Sequence, residues 1–120
     1  MADRVLLFTW AEPVRGREER ALEVFNESIG LYGRMQQDGR IEGFDITLLE
    51  PNAHMGGYAQ LHGSQDQLNE VRESEDFQRM IVDAQLIVDD VQLIGGVSGA
   101  GVAEQIGMYQ EAIAKVPQHA

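Results

Sequence analysis

The run from Ser74 to Val97, SEDFQRMIVDAQLIVDDVQLIGGV, changes its apolar period partway along. Phe77, Met80, Ile81, Ala84, Ile87 and Val88 recur at three- and four-residue steps, the spacing of one helix face. Val91, Leu93, Gly95 and Val97 then recur at steps of two, the spacing of one strand face. Ser74 stands where a helix N-cap belongs, and Glu75 and Asp76 put negative charge at the helix's positive end. Asp89 and Asp90 mark the switch, because neither suits a helix C-terminus. A helix feeding a one-face strand reads as the second half of a β-α-β unit.

The residues before it supply the first half. Val5 to Trp10 is apolar on both alternating sets, as in a central strand buried on two faces, and Glu12-Pro13 ends it. A long helix is predicted from about Gly16 to Asp38, with Leu22, Phe25, Ile29 and Tyr32 as its core stripe. Gly30 and Gly33 each cost that helix about 1 kcal/mol against alanine, so another element is expected to approach closely there. Ile41–Glu50 alternates, with Phe44, Ile46 and Leu48 on one face and Asp45, Thr47 and Leu49 on the other. Pro51-Asn52 turns it into Gly57–His62, where Ala59 and Leu61 alternate with Tyr58, Gln60 and His62. Ser64-x-x-Gln67 is a capping box for a short helix, and Ser74 restarts a second one, so the helix breaks near residue 73. After the strand, Gly95–Gly101 reads as a hinge into a last amphipathic helix carrying Val102, Ile106, Tyr109 and Ile113.

The order is β-α-β-β-α-β plus a C-terminal helix at about 100–115, in one domain spanning 1–120 with its core in 4–97. One hairpin and two right-handed crossovers give an α+β, ferredoxin-like four-stranded antiparallel sheet with helices on one face. The other face mixes Asp45, Thr47, Leu49, Tyr58, Gln60, His62, Gln92 and Ile94. That is too apolar for free solvent and too polar for a dry core, as at a wet interface between two sheets.

Composition narrows the function classes. The net charge of −11 repels phosphate backbones, so neither nucleic acid nor an anionic membrane is an expected partner, and an anionic ligand needs a local basic spot. There is no cysteine, which removes disulfides and thiolate metal sites. No targeting segment is visible in MADRVLLFTWAEPV, and cytoplasm is the default expectation. Two glycine-rich stretches are decoys. Gly56–Leu61 lacks the basic lead and second aromatic of an RNA-binding strand, and Gly96–Gly101 has its glycines in the wrong order for a phosphate loop.

The element order, the broken helix written VRESEDFQRMI and the strand after it resemble the dimeric α/β-barrel superfamily over most of residues 4–97. The one local motif is the helix start Ser-Glu-x-Phe at 74–77. That superfamily includes antibiotic-biosynthesis-type monooxygenases, muconolactone isomerases and haem-degrading enzymes. The resemblance implies two sheets packed face to face in a homodimer, a ligand cleft between sheet and helices of each protomer, and a C-terminal helix against the partner. It implies no haem, since residues 65–88 lack the required histidine. The first strand also lacks the asparagine that the cofactor-independent monooxygenases pair with tryptophan, so no catalytic residue transfers.

Candidate site residues therefore rest on their chemistry. His62 moves protons near neutral pH and Tyr58 can hold an oxyanion, and they share a strand face; alternatively both are interface residues. Trp10 can wall a flat apolar ligand or simply pack, and Tyr32 can place its hydroxyl at a cleft rim. His54 sits in the hairpin loop, and His119 in the tail. The three histidines have no metal-ligand spacing, so neither metal nor cofactor is expected. The expected function is binding or transforming a small apolar or aromatic metabolite without metal, in the manner of a monooxygenase, isomerase or cyclase. The alternative is a non-catalytic small-ligand-binding or assembly module.

Overall fold

β1 (Arg4–Trp10) lies inside the sheet, between β3 (Gly57–Gly63) and β4 (Gln92–Val97), and β2 (Gly43–Leu48) flanks β3. The structure, a computed structural model, describes residues 2–117. Every pairing is antiparallel, in the order β2-β3-β1-β4. This is the ferredoxin-like arrangement read from the element order. The pairing continues past the proline: Ala11 N donates to Asp89 O at 2.8 Å, Val14 N to Ile87 O at 2.8 Å, and Pro13 bridges Val88.

One face of the sheet is covered by α1 (Glu18–Gln37), α2 (Gln65–Glu73) and α3 (Glu75–Gln85). Leu6, Phe8, Ala59 and Leu61 from the sheet meet Val24, Leu31, Met35, Leu68, Val71, Phe77 and Met80 from the helices in one core. The expected capping box forms: Gln67 N donates to the Ser64 hydroxyl at 3.1 Å, and Ser64 N to Gln67 Oε1 at 2.8 Å. The helix breaks at Ser74, as read from the sequence, but the cap differs. Ser74 donates its hydroxyl back to Val71 O at 2.6 Å rather than accepting from α3. Arg40 ties α3 to the α1–β2 turn through both carboxylate oxygens of Asp76, at 2.8 and 3.0 Å. That pairing holds the Asp76 carboxyl well below its ordinary range.

Three expectations need correction. The core stripe of α1 is rotated from the one drawn through Leu22: Ala21, Val24, Ser28, Leu31, Tyr32 and Met35 are buried, while Leu22 is 62% exposed. The face is set by what the helix meets, and small residues belong to it as fully as large ones. α3 ends at Gln85, so Ile87 and Val88 fall in the turn and Asp90 takes a left-handed backbone with φ 54°, which aspartate tolerates. Close approach does not explain the α1 glycines: a Cβ at Gly33 meets nothing within 4 Å, and one at Gly30 meets only the flexible end of Arg34.

α4 (Ala100–Ala114) forms where the last amphipathic helix was expected, yet only Gly101 in it is buried. A Cβ at Gly101 would fall 2.5 Å from Asp3 O, so glycine there lets the helix start against β1. Val102, Ile106 and Tyr109 stay 45%, 51% and 64% exposed. The radius of gyration is 17.1 Å, against about 13.5 Å for a compact chain of this length. Among the described residues no helix is long and apolar enough to cross a membrane. His119 lies outside those residues.

Candidate functional site

Four small residues leave a hollow in the helix-covered side of the sheet. Ala59 lies on β3 in register with Phe8 on one side and Ile46 on the other. Ala21 and Ser28 face it from α1, and Ala84 from α3. Each is at least nine-tenths buried, yet none is long enough to meet its opposite number. The result is an open cleft of about 270 Å³, walled chiefly by Phe8, Trp10, Phe25, Ile46, Met80 and Val88.

Its aromatic wall is built by backbone geometry. Trp10 ends β1 opposite Gly57, where a Cβ would come within 2.6 Å of Thr47 O and 2.9 Å of the Trp10 ring. At Gly56 a Cβ would collide with Ala11 O. The two glycines thus let the indole lie across the strand end. Its ring stands 6.1 Å from Phe25 at 71° and 6.0 Å from Phe8 at 44°, the edge and tilted arrangements that the ring quadrupoles prefer. Tyr32, only 1% exposed, packs at 5.7 Å on Phe44 and completes the inner end.

The polar groups are few. Burial pushes the Tyr32 hydroxyl well above its ordinary pKa, and Ser28 beside it draws it partly back. Tyr32 is therefore a neutral donor at any physiological pH. The Ser28 hydroxyl donates to Phe25 O at 2.6 Å. The Glu18 carboxylate stands at the exposed mouth, accepting from Gly16 N at 2.7 Å. An apolar aromatic slot with a buried phenol suits a flat apolar molecule carrying one oxygen.

The sequence candidates divide between the two sheet faces. Trp10 and Tyr32 line the cleft. Tyr58 and His62 are on β3 pointing the other way, with His62 Nε2 2.8 Å from Asp45 Oδ2 of β2. His54 is exposed in the β2–β3 loop, which Asn52 organises by accepting from His54 N and Met55 N. Ala21, Ser28, Ala59 and Ala84 escaped the sequence reading. The available signal was small residues at core-facing positions: Ala84 in the α3 stripe, Ala59 between Gly57 and Leu61. Among the described residues, no group of three or more His, Asp or Glu is placed to hold a metal ion.

No protein-family model and no curated protein matches the sequence. Solved structures do match in fold. A dimeric protein of unknown function with a ferredoxin-like fold from Bacteroides fragilis superposes with a TM-score of 0.60 at 9% identity, covering 79% of this chain and 96% of that one. A protein of unknown function from Bacteroides thetaiotaomicron gives 0.61 at 11% identity, covering 82% and 100%. The cofactor-independent oxygenase SnoaB from Streptomyces nogalater gives 0.50 at 16% identity, covering 82% and 93%.

Proposed function

We propose that the chain binds a small, flat, apolar or aromatic metabolite in the cleft between sheet and helices, and transforms it without metal. The observation that carries this is the hollow itself: about 270 Å³ walled by Trp10, Phe8 and Phe25, with the neutral Tyr32 hydroxyl at hand. The fold shared with a cofactor-independent oxygenase is compatible with a monooxygenase-, isomerase- or cyclase-like reaction and does not rank them. Trp10 and Tyr32 are then ligand-contacting residues. His54 stays outside that cleft.

The same reading includes a homodimer through the open sheet face, with α4 lying against the partner. Leu7 and Ile94, adjacent in register, put apolar surface on that face, and one structural neighbour is described as dimeric. His62 and Tyr58 fall in this seam, so a catalytic part for them rests on the space between two sheets.

Native mass spectrometry with hydroxynaphthalenes and hydroxyanthracenes, followed by chromatography after aerobic incubation, tests the proposal. Retention with a new product supports the enzyme. Retention without turnover supports the binding module. No retention of any aromatic removes the cleft reading.

A further inference from the structure

A second hollow lies at the opposite end of the sheet and belongs to a different chemistry. β1 runs from Arg4 to Trp10, so its two ends are about 20 Å apart. Around the Arg4 end, α2 sets the exposed Gln65, Asn69 and Arg72 along the rim of this hollow, at the i, i+4 and i+7 positions of one helix face. Opposite them stand Arg4 and the backbone of Gly95 and Gly96. The hollow is open to solvent and has a volume of about 280 Å³.

The charge distribution there reverses that of the whole chain. The protein has 9 basic and 20 acidic residues, yet two arginines and no carboxylate line this hollow. The acids of α2, Asp66, Glu70 and Glu73, each follow a lining residue by one position, which swings them about 100° round the helix. Among the described residues, the side chains of Gln65, Asn69 and Arg72 make no hydrogen bond or ion pair. By contrast Arg20, Arg40 and Arg79 each hold a carboxylate. Arg4 is engaged through Nη1 alone, at 3.1 Å from Asp3 O and 3.3 Å from its carboxylate.

The floor is also unusual. Gly95 and Gly96 are successive residues inside β4, where glycine weakens a strand and marks a place of close approach. A Cβ at Gly95 would project toward Arg72, 3.9 Å from its Nη1. Without one, the guanidinium faces open backbone.

We infer that this hollow binds a small oxyanion, a carboxylate or phosphate group, held by Arg72 and Arg4 with the Gln65 and Asn69 amides donating beside them. The Arg72 guanidinium, the nitrogens of Arg4 not engaged by Asp3, and two amides offer several donors, and a carboxylate or phosphate satisfies them while neutralising the Arg72 charge. The site is separate from the aromatic cleft and does not rest on what that cleft binds.

The test is an amide-resolved NMR titration of the full chain with inorganic phosphate and, separately, sodium acetate, at ionic strength held constant with sodium chloride. One or both anions produce saturable shifts centred on Gly95, Gly96 and α2, at millimolar affinity. Arg72→Gln weakens that binding about tenfold, the loss expected for one charged hydrogen-bond partner. Asn69→Asp, which puts a carboxylate into the ring, abolishes it. Arg79→Gln, on the exposed side of α3, leaves it unchanged. Linear shifts spread over the surface for both anions, or equal affinity in Arg72→Gln and the parent, overturn the inference.

Discussion

Ala59→Leu puts the hollow under the sheet to a quantitative trial. Ala59 is 1% exposed, and Phe8 and Ile46 flank it in register. Strand side chains stand nearly perpendicular to their sheet, so a longer residue grows straight into the cleft. Leucine adds three carbons, roughly 80 Å³, to a space of about 270 Å³. Burying three methylenes stabilises by about 2 kcal/mol at most. Ordering the leucine removes about 0.5–1 kcal/mol of that. In a filled core the same insertion would cost about 1–3 kcal/mol through strain. An open cleft thus predicts a stability within about 1 kcal/mol of the parent, on the favourable side. Urea unfolding with a check that the slope is unaltered measures it. Retention of a hydroxynaphthalene, followed by native mass spectrometry, should fall at least tenfold, since nearly a third of the space is gone. A loss of more than about 2 kcal/mol, or undiminished retention, would refute the reasoning.

Three further outcomes follow from other parts of the molecule. The Asp76 carboxyl is held below its ordinary pKa by Arg40, so the pair's stability is present above about pH 4 and lost as pH falls through the folded value. Because Asp76 is half exposed, Arg40→Ala should cost only about 1 kcal/mol at pH 7 and progressively less as pH falls below about 4, read from unfolding across that range. Gly33→Ala in α1 should stabilise by about 0.5–1 kcal/mol in thermal unfolding, since the added methyl meets nothing within 4 Å. Ile94→Arg, on the open sheet face where Ile94 is 46% exposed, should leave the fold intact and turn a dimer into a monomer by light scattering; an unchanged mass removes that seam.

The topology was legible because periodicity changes where the elements change. The doubly apolar Val5–Trp10 run does sit between two strands, and the switch at Asp89-Asp90 falls where Asp90 adopts a left-handed turn. The helix break at Ser74 and the Ser64–Gln67 cap are local chemistry and were equally readable. The phase of α1 was not, because the stripe was drawn through the largest residues and Leu22 stayed in solvent. The cleft escaped for a related reason. It is made by the absence of bulk at Ala21, Ser28, Ala59 and Ala84, four positions from three distant segments, and no local pattern marks a space. Trp10 was picked out for being aromatic, but what seats it is glycine at 56 and 57, a backbone requirement between β1 and β3. His62 and Tyr58 were placed on one face from alternation alone, whereas which face holds the cleft depends on where the helices pack.

The aromatic cleft is tested most directly through Trp10, the chain's single tryptophan, which reports on that space without a label. A fluorescence titration with a hydroxynaphthalene should give a saturable quench with one site per chain. A quench that grows linearly without saturating, or none at all, would contradict the account.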